Sequence, residues 1–466
     1  MSVESYDCAI VGGGPGGYPA AIRAAQLGLR TALVESAELG GICANWGCIP
    51  TKALLRAAEL RHSAARAQEF GIEVGEVRVD LVKLVERSRR VADRMSGGVR
   101  HLLKKNGVTL IEGRARLRGA GRLEVDRDGA RQELEAAHVV LATGARARTL
   151  PGIEPDGAAI WTYREAMVPE RLPASLLVVG SGAIGIEFAS FYRDLGVEVT
   201  VLEVLPRILP AEDEEISAFA RKALEREGVA IHTEASLSAL ERSGDGVTAR
   251  GKFASGQAFA MGAERAILAV GITGNVEGLG LETTAVAVES GHIETDAWGR
   301  TAEAGVYAIG DVAGPPYLAH KATHEGVLCI EAIAGRPGLH PLDATKIPGC
   351  TYSRPQVASV GLSERAAREA GHALRVGRFP LRANGKAVAI GDTEGLVKTV
   401  FDAETGELLG AHLVGPEVTE MIQGFVLARG LEATEAELIE AIFPHPTLSE
   451  AMHEAVLDAF GRAIHV

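Results

Sequence analysis

The chain has 466 residues, 47% of them hydrophobic, with five cysteines and a net charge of −13. That length suits about three domains of ~150 residues with sizeable cores, and the negative charge argues against a nucleic-acid partner, whose phosphates call for clustered Lys and Arg. So few cysteines in so long a chain exclude a secreted disulfide framework and favour a reducing compartment. MSVESY at 1–6 has neither a basic start nor an apolar run, so no signal or transit peptide and a cytoplasmic location are expected.

The apolar run at 8–11 predicts a buried strand, followed by a glycine-rich turn, a helix over 18–27 and a second strand ending at Glu35. Gly12, Gly14 and Gly17 fall in the G-x-G-x-x-G positions: the first permits the tight turn, the second lets backbone approach a pyrophosphate, and the third allows close helix–strand packing. Glu35, 18 residues after Gly17, is placed to accept hydrogen bonds from a ribose. Such a turn alone can be merely structural; strand, helix and acid in series point to a dinucleotide.

LGGICANWGCIPTK at 39–52 holds Cys43 and Cys48. A strand would put their Cα atoms roughly 16 Å apart and a regular helix about 8–9 Å, whereas a disulfide needs about 4.4–6.8 Å. A bridge therefore requires a distorted helical turn, for which Gly40, Gly41 and Gly47 are suited, while Pro50 suits the start of a regular helix. A metal site would want a second Cys or His pair; Cys8 lies in a predicted strand and Cys329 and Cys350 are isolated, so these three read as core thiols and no metal is expected. From the residues alone, a disulfide and a pair of inert thiols both remain open. A redox pair would need an electron carrier, a base and a stabilised thiolate; a helix N-terminus near Cys48, with Lys52, would lower a thiol pKa.

Further on, LPASLLVVGSGAIGIEFASFY at 172–192 is apolar, but its glycines and Glu187 predict strand, turn and helix rather than a membrane span. Residues 175–203 repeat the first pattern with Gly180, Gly182, Gly185 and Glu203, so two dinucleotides are expected. Glu203 should bind a ribose 2′-OH and repel a 2′-phosphate, and no arginine follows before Arg207, which favours NAD over NADP. EDEE at 212–215 reads as a helix start without chemistry. LATGA (141–145) and LAVGI (268–272) read as short strands closing each nucleotide fold, and AGVYAIGDVAG (304–314) as a buried strand whose tip carries Asp311, a turn cap or a ligand contact. From about 345 the runs EGLVKTVFD and ELLGAHLVG alternate as antiparallel strands, and helices follow at 417–430 and 449–463. His445, between Pro444 and Pro446, reads as a turn cap or a base, and Glu450 can return to it if a helix starts at Ser449.

Taken together, the C-x4-C after a first glycine fingerprint, the second fingerprint, the Gly-Asp strand end and HPTLSE resemble the flavin-dependent pyridine nucleotide–disulfide oxidoreductases along nearly the whole chain. GGICANWGCIPTKALL and HPTLSEAMHEA read in the style of members that oxidise dihydrolipoamide. The resemblance implies an α/β chain with two Rossmann-like dinucleotide-binding domains and a C-terminal α+β dimerisation domain: 1–149 for FAD, 150–274 for NAD, 275–344 completing the FAD site, and 345–466 as the interface. It implies that Gly12, Gly14, Gly17, Glu35, Lys52, Ala115, Thr143, Gly144, Asp311 and Ala319 hold FAD, and that Gly180, Gly182, Gly185, Glu203 and Gly271 hold NAD. Lys52 and Glu187 would pair near the flavin's reactive ring. Cys43 would meet substrate, Cys48 would face the flavin, and His445, oriented by Glu450, would serve as base from the other subunit of a homodimer. The implied partner is a separate lipoyl-bearing acyltransferase of a 2-oxo-acid dehydrogenase complex, or a glycine-cleavage carrier.

This chain departs from the family pattern at Ala44 and Trp46, which imply local repacking, and at GITGN (271–275), which lacks a common arginine. Glutathione-, mycothiol- and mercuric-type reductases share the two folds and the cysteine pair. Glu203 speaks against the first, and the ending FGRAIHV, without cysteines, against the last. A non-redox FAD-binding interaction protein would leave Cys43, Cys48, His445 and Glu450 without a joint purpose.

Overall fold

CAIV at 8–11 is the inner half of a strand, Glu4–Val11, whose last four residues are buried, as a parallel strand covered on both faces requires. The computed structural model describes residues 3–465; the first two residues of MSVESY lie outside that range, as does residue 466. Two units are formed. The first comprises the N-terminal segment through Leu54, Val82–Arg148 and Gly271–Leu342; the second comprises Leu55–Leu81, Thr149–Val270 and the segment from Asp343.

In the first unit Glu4–Val11 lies inside a seven-stranded sheet, between Thr31–Glu35 and Ala130–Leu141, parallel to both. Val306–Ala308 joins the far half of Ala130–Leu141, also in parallel, while Arg122–Arg127 and Arg114–Leu117 extend the sheet antiparallel. The helix Gly17–Gln26 buries Ala20, Ala21 and Ala24 against this sheet, and small residues let the helix Ala319–Ile333 approach: a Cβ on Gly326 would stand 2.5 Å from the Gly16 carbonyl oxygen. Cys8 and Cys329 are fully enclosed in that layer, and burial pushes both thiols up, Cys8 to about 12. They are core thiols.

In the second unit five parallel strands run in the order Ala230–His232, Glu198–Leu202, Ser175–Val179, Arg265–Leu268, Ile160–Trp161. The same unit holds an antiparallel five-stranded sheet, with Gln356–Gly361, Leu408–Gly415 and Leu396–Asp402 as its inner strands. The helices Val418–Gly430 and Glu450–Ala459 cover it through Phe425, Ala451 and Val456.

Two expectations need correction. LATGA and LAVGI are not strands: the strands end at Leu141 and Leu268, the next ones begin at Ala145 and Ile272, and Gly144 and Gly271, with positive φ, stand just before the new strands. The 304–314 strand stops at Ala308, and Asp311 sits in a 3-10 turn, Gly310–Ala313. LVKTVFD is the antiparallel strand expected, and all seven of its residues are buried. The polar ones are satisfied inside: Thr399 donates to the Ala455 carbonyl at 3.0 Å, and Lys398 Nζ reaches Asp213 at 2.8 Å, Glu364 at 2.9 Å and Glu215 at 3.1 Å. Asp213 and Glu215 belong to EDEE; that segment does start a helix, Glu214–Arg226 capped by Asp213, and also anchors a buried cation. Among the described residues no helix is long and apolar enough to cross a membrane.

Removing Lys398 leaves the buried Asp213 carboxylate without its cation, while Glu215 and Glu364 keep Arg378. Lys398→Ala is expected to cost roughly 3–5 kcal/mol, read as a lower urea midpoint, while the exposed Lys222→Ala stays within about 0.5 kcal/mol.

Candidate active site

The first glycine turn is built by close approach. A Cβ on Gly17 would lie 1.8 Å from the Gly12 carbonyl oxygen, and one on Gly12 2.3 Å from that of Ala142. Gly14 meets only the Gly41 Cα, at 3.8 Å, so the middle glycine presents bare backbone. Glu35 holds the turn in shape: its Oε2 accepts from the Gly13 N–H at 2.7 Å and its Oε1 from the Ala37 N–H at 2.8 Å. Each oxygen keeps a further lone pair for a hydroxyl.

Ala115, Thr143, Gly144, Asp311 and Ala319, also expected at this site, belong to the same unit. Ala115 is buried in the strand Arg114–Leu117, and Ala319 opens the helix Ala319–Ile333. Thr143 and Gly144 are tied to Asn275: Thr143 Oγ1 donates to its carbonyl, Asn275 Nδ2 donates back to the Thr143 carbonyl, and the Asn275 N–H donates to Gly144, each at 2.9 Å. Beside GITGN, Arg146 of the paired strand donates to the Gly274 carbonyl at 2.9 Å. The turn bearing Asp311 is braced by Lys321, which donates to the Gly314 carbonyl at 2.7 Å and pairs with Glu325 at 3.1 Å. Burial pushes the Asp311 carboxyl up, Lys321 opposes, and Glu325 adds to the rise.

The cysteine segment is seated on the same turn. The Gly40 N–H donates to the Gly13 carbonyl at 2.8 Å, and a Cβ on Gly41 (φ +58°) would stand 2.8 Å from the Gly14 Cα. A short helix, Gly41–Trp46, carries Cys43; Gly47 leaves it at φ −149°, ψ −119°; a second helix, Cys48–Ala65, begins at Cys48. This break is the distortion that the five-residue spacing calls for, and across it the two side chains hydrogen-bond as free thiols. Cys43 is half-buried and Cys48 exposed. The hydrogen bond to Cys48 and burial drive the Cys43 thiol well up, with Asp311 adding to them; Lys52 opposes and is outweighed, so the lowered thiol expected beside Lys52 is not found at Cys43. Among the described residues no three His, Cys, Asp or Glu side chains cluster as a metal would require.

In the second unit the fingerprint repeats. A Cβ on Gly185 would lie 2.0 Å from the Gly180 carbonyl oxygen, and Gly182 faces open space at the start of the helix Ala183–Asp194. Glu203, only 6% exposed, accepts from the Ser181 N–H at 2.8 Å, the Ser181 Oγ at 2.6 Å and the Leu205 N–H at 2.8 Å. Ser181 escapes the sequence reading; its place between two fingerprint glycines, opposite the strand-end acid, is the signal. Gly271 lies in the first unit, where its carbonyl accepts from the Arg148 N–H. Glu187, buried, accepts from the Tyr352 N–H at 2.9 Å.

His445 and Glu450 meet. Nδ1 of His445 lies 2.9 Å from Glu450 Oε1, and the Thr447 N–H donates to Oε2 at 2.8 Å as the helix Glu450–Ala459 begins. Burial pushes the Glu450 carboxyl up, but the Thr447 and His445 bonds prevail and hold it below the ordinary range. His445 itself is exposed, so its Nε2 is left for a partner outside the pair.

Comparison with known proteins agrees with this geometry. Residues 6–326 match the model of the pyridine nucleotide-disulphide oxidoreductases, and 347–456 match that family's dimerisation domain. The chain is 55% identical to a dihydrolipoyl dehydrogenase of Rhizobium etli and 54% identical to one of Zymomonas mobilis, each over 99% of both chains. Among solved structures it resembles LpdA of Mycobacterium tuberculosis (TM-score 0.90, 30% identity, 97% of this chain and 99% of that one). It also resembles the HOCl-induced flavoprotein disulfide reductase RclA of Escherichia coli (TM-score 0.85, 26% identity, 97% and 99%).

The added methyl of Gly17→Ala can be accommodated only by moving the helix off the turn. Retention of the first dinucleotide after gel filtration is expected to fall at least tenfold, about 1.4 kcal/mol, whereas Gly97→Ala, in a helix with nothing within 4 Å, retains it.

Proposed function

The chain belongs to the pyridine nucleotide-disulphide oxidoreductase family, and from that premise we propose that it is a dihydrolipoyl dehydrogenase, oxidising dihydrolipoamide to lipoamide with reduction of NAD⁺ to NADH. The observation that carries this reading is the contact of the Cys43 and Cys48 thiols across the Gly47 break, seated on the Gly14 turn.

Both glycine turns suit a diphosphate. Each offers a middle glycine with bare backbone at a helix start, and each has a carboxylate that accepts from its own turn while keeping capacity for a hydroxyl. We assign Gly12, Gly14, Gly17, Glu35, Lys52, Ala115, Thr143, Gly144, Asp311 and Ala319 to FAD, and Gly180, Gly182, Gly185, Glu203 and Gly271 to NAD. Lys52 and Glu187 are assigned to the reactive end of the flavin. FAD, when bound, supplies the two-electron relay between thiols and nicotinamide that side chains lack.

The chain's own residues perform the thiol chemistry. His445 takes a proton from one substrate thiol at Nε2, its Nδ1–H being held by the ionised Glu450. The substrate thiolate attacks the Cys43 sulfur of the oxidised pair, an S–S bond to substrate forms, the Cys43–Cys48 bond breaks, and Cys48 leaves as thiolate. The second substrate thiol then attacks its own linked sulfur, releasing lipoamide and returning Cys43 as a thiol. The electron pair leaves substrate in this exchange and resides on the two cysteines.

The C-terminal segment is the family's dimerisation domain, and in the homodimer we place His445 as the base for the partner's cysteine pair. Residues 1–149, 150–274, 275–344 and 345–466 form the FAD, NAD, central and interface domains. The physiological substrate arrives on a lipoyl-bearing acyltransferase of a 2-oxo-acid dehydrogenase complex, or on a glycine-cleavage carrier, in the cytoplasm.

Cys43→Ser tests this directly. Oxidation of dihydrolipoamide by NAD⁺ is expected to vanish while NADH still bleaches the bound flavin. Retained dithiol oxidation overturns the assignment, as does a wild-type enzyme that works only with glutathione disulfide and NADPH.

A further inference from the structure

Trp46 closes the short helix that carries Cys43, immediately before the Gly47 break. Arg89, on the helix Leu81–Lys105, lays its guanidinium carbon 4.3 Å from the centre of the Trp46 ring. Its Nε and Nη2 are shut off from water without a hydrogen-bond partner. Burial weakens the charged form, and only Asp93 and Glu38 support it. An orphaned polar group costs ~1–3 kcal/mol, and more when charged; a desolvated cation over an indole face returns ~2 kcal/mol. The stack is therefore what keeps this cation in place.

The same helix also reaches the far side of the break. Arg87 Nη1 donates to the Ala53 carbonyl at 3.2 Å, in the helix that begins at Cys48. On the inner side Asn45 Nδ2 donates to the Leu39 and Gly41 carbonyls, both at 2.9 Å. The segment before the break is thus fixed from within by Asn45 and from without by Arg89.

We propose that the helix Leu81–Lys105 is a splint across the Gly47 break, with Arg89 a positioning residue that acts through Trp46 to set the redox equilibrium of Cys43 and Cys48. This rests on the redox role proposed above. In the exchange, two glutathione thiols reduce the Cys43–Cys48 disulfide, giving two protein thiols and one glutathione disulfide, so protons and electrons balance. A splint that holds the reduced sulfurs in contact lowers the cost of closing the bond. Losing it favours the dithiol.

The test equilibrates the flavin-loaded enzyme in glutathione buffers and counts thiols by alkylation. Arg89→Met and Trp46→Leu are each expected to shift the equilibrium about tenfold toward dithiol, ~30 mV less negative. The double variant should shift no further than either single one, because both remove one contact. NADH reduction of an artificial acceptor, which bypasses the cysteines, stays at the wild-type rate. A flavin-loaded Arg89→Met whose equilibrium lies within about twofold of wild type, or a double variant whose shifts add, overturns the proposal. If Arg89→Met fails to hold flavin, Arg89→Lys and Trp46→Phe decide: a shift of roughly threefold each supports the splint, and no shift overturns it. A wild-type pair that forms no disulfide in any buffer sinks the redox reading itself, a result distinct from an unshifted variant.

Discussion

Two thiols five residues apart touch only because helix is not continuous between them. The break at Gly47 ends one helix at Trp46 and starts another at Cys48, and the remainder of the site is arranged around keeping that break in position. Gly40 and Gly41 fasten the segment to the glycine turn of the first nucleotide fold. Moved elsewhere, the same cysteines would be a thiol pair without an electron carrier.

The two nucleotide folds share a device that is more specific than the glycine spacing. In each, the strand-end carboxylate spends one oxygen on the backbone N–H that follows the first glycine, Gly13 in one case and Ser181 in the other, and the second oxygen on an N–H just past the strand. The acid thus shapes the turn that carries the fingerprint glycines. Ser181 adds a hydroxyl bond in the second fold, which makes that carboxylate the more deeply engaged of the two.

What the sequence revealed follows chain distance. The glycine turns, the cysteine pair and the return of Glu450 to His445 all depend on residues within about twenty positions, where spacing and geometry are linked. The anchoring of Lys398 by Asp213 spans 185 positions, so EDEE looked like an ordinary helix start. LVKTVFD alternates because Lys398 and Thr399 are polar, yet both are enclosed by partners that no local pattern records. The same holds for Arg89 under Trp46. LATGA and LAVGI mislead for a different reason: their apolar residues span a gap between two strands, closed by a glycine of positive φ just before the second.

The central claim is that substrate electrons reside on Cys43 and Cys48 before they reach the flavin. Anaerobic addition of one equivalent of dihydrolipoamide per subunit to the oxidised flavoprotein, without NAD⁺, tests it most directly when thiols are counted alongside the flavin spectrum. The account predicts two new protein thiols per subunit in wild type and none in Cys48→Ser. Full bleaching of the flavin with an unchanged thiol count would contradict it.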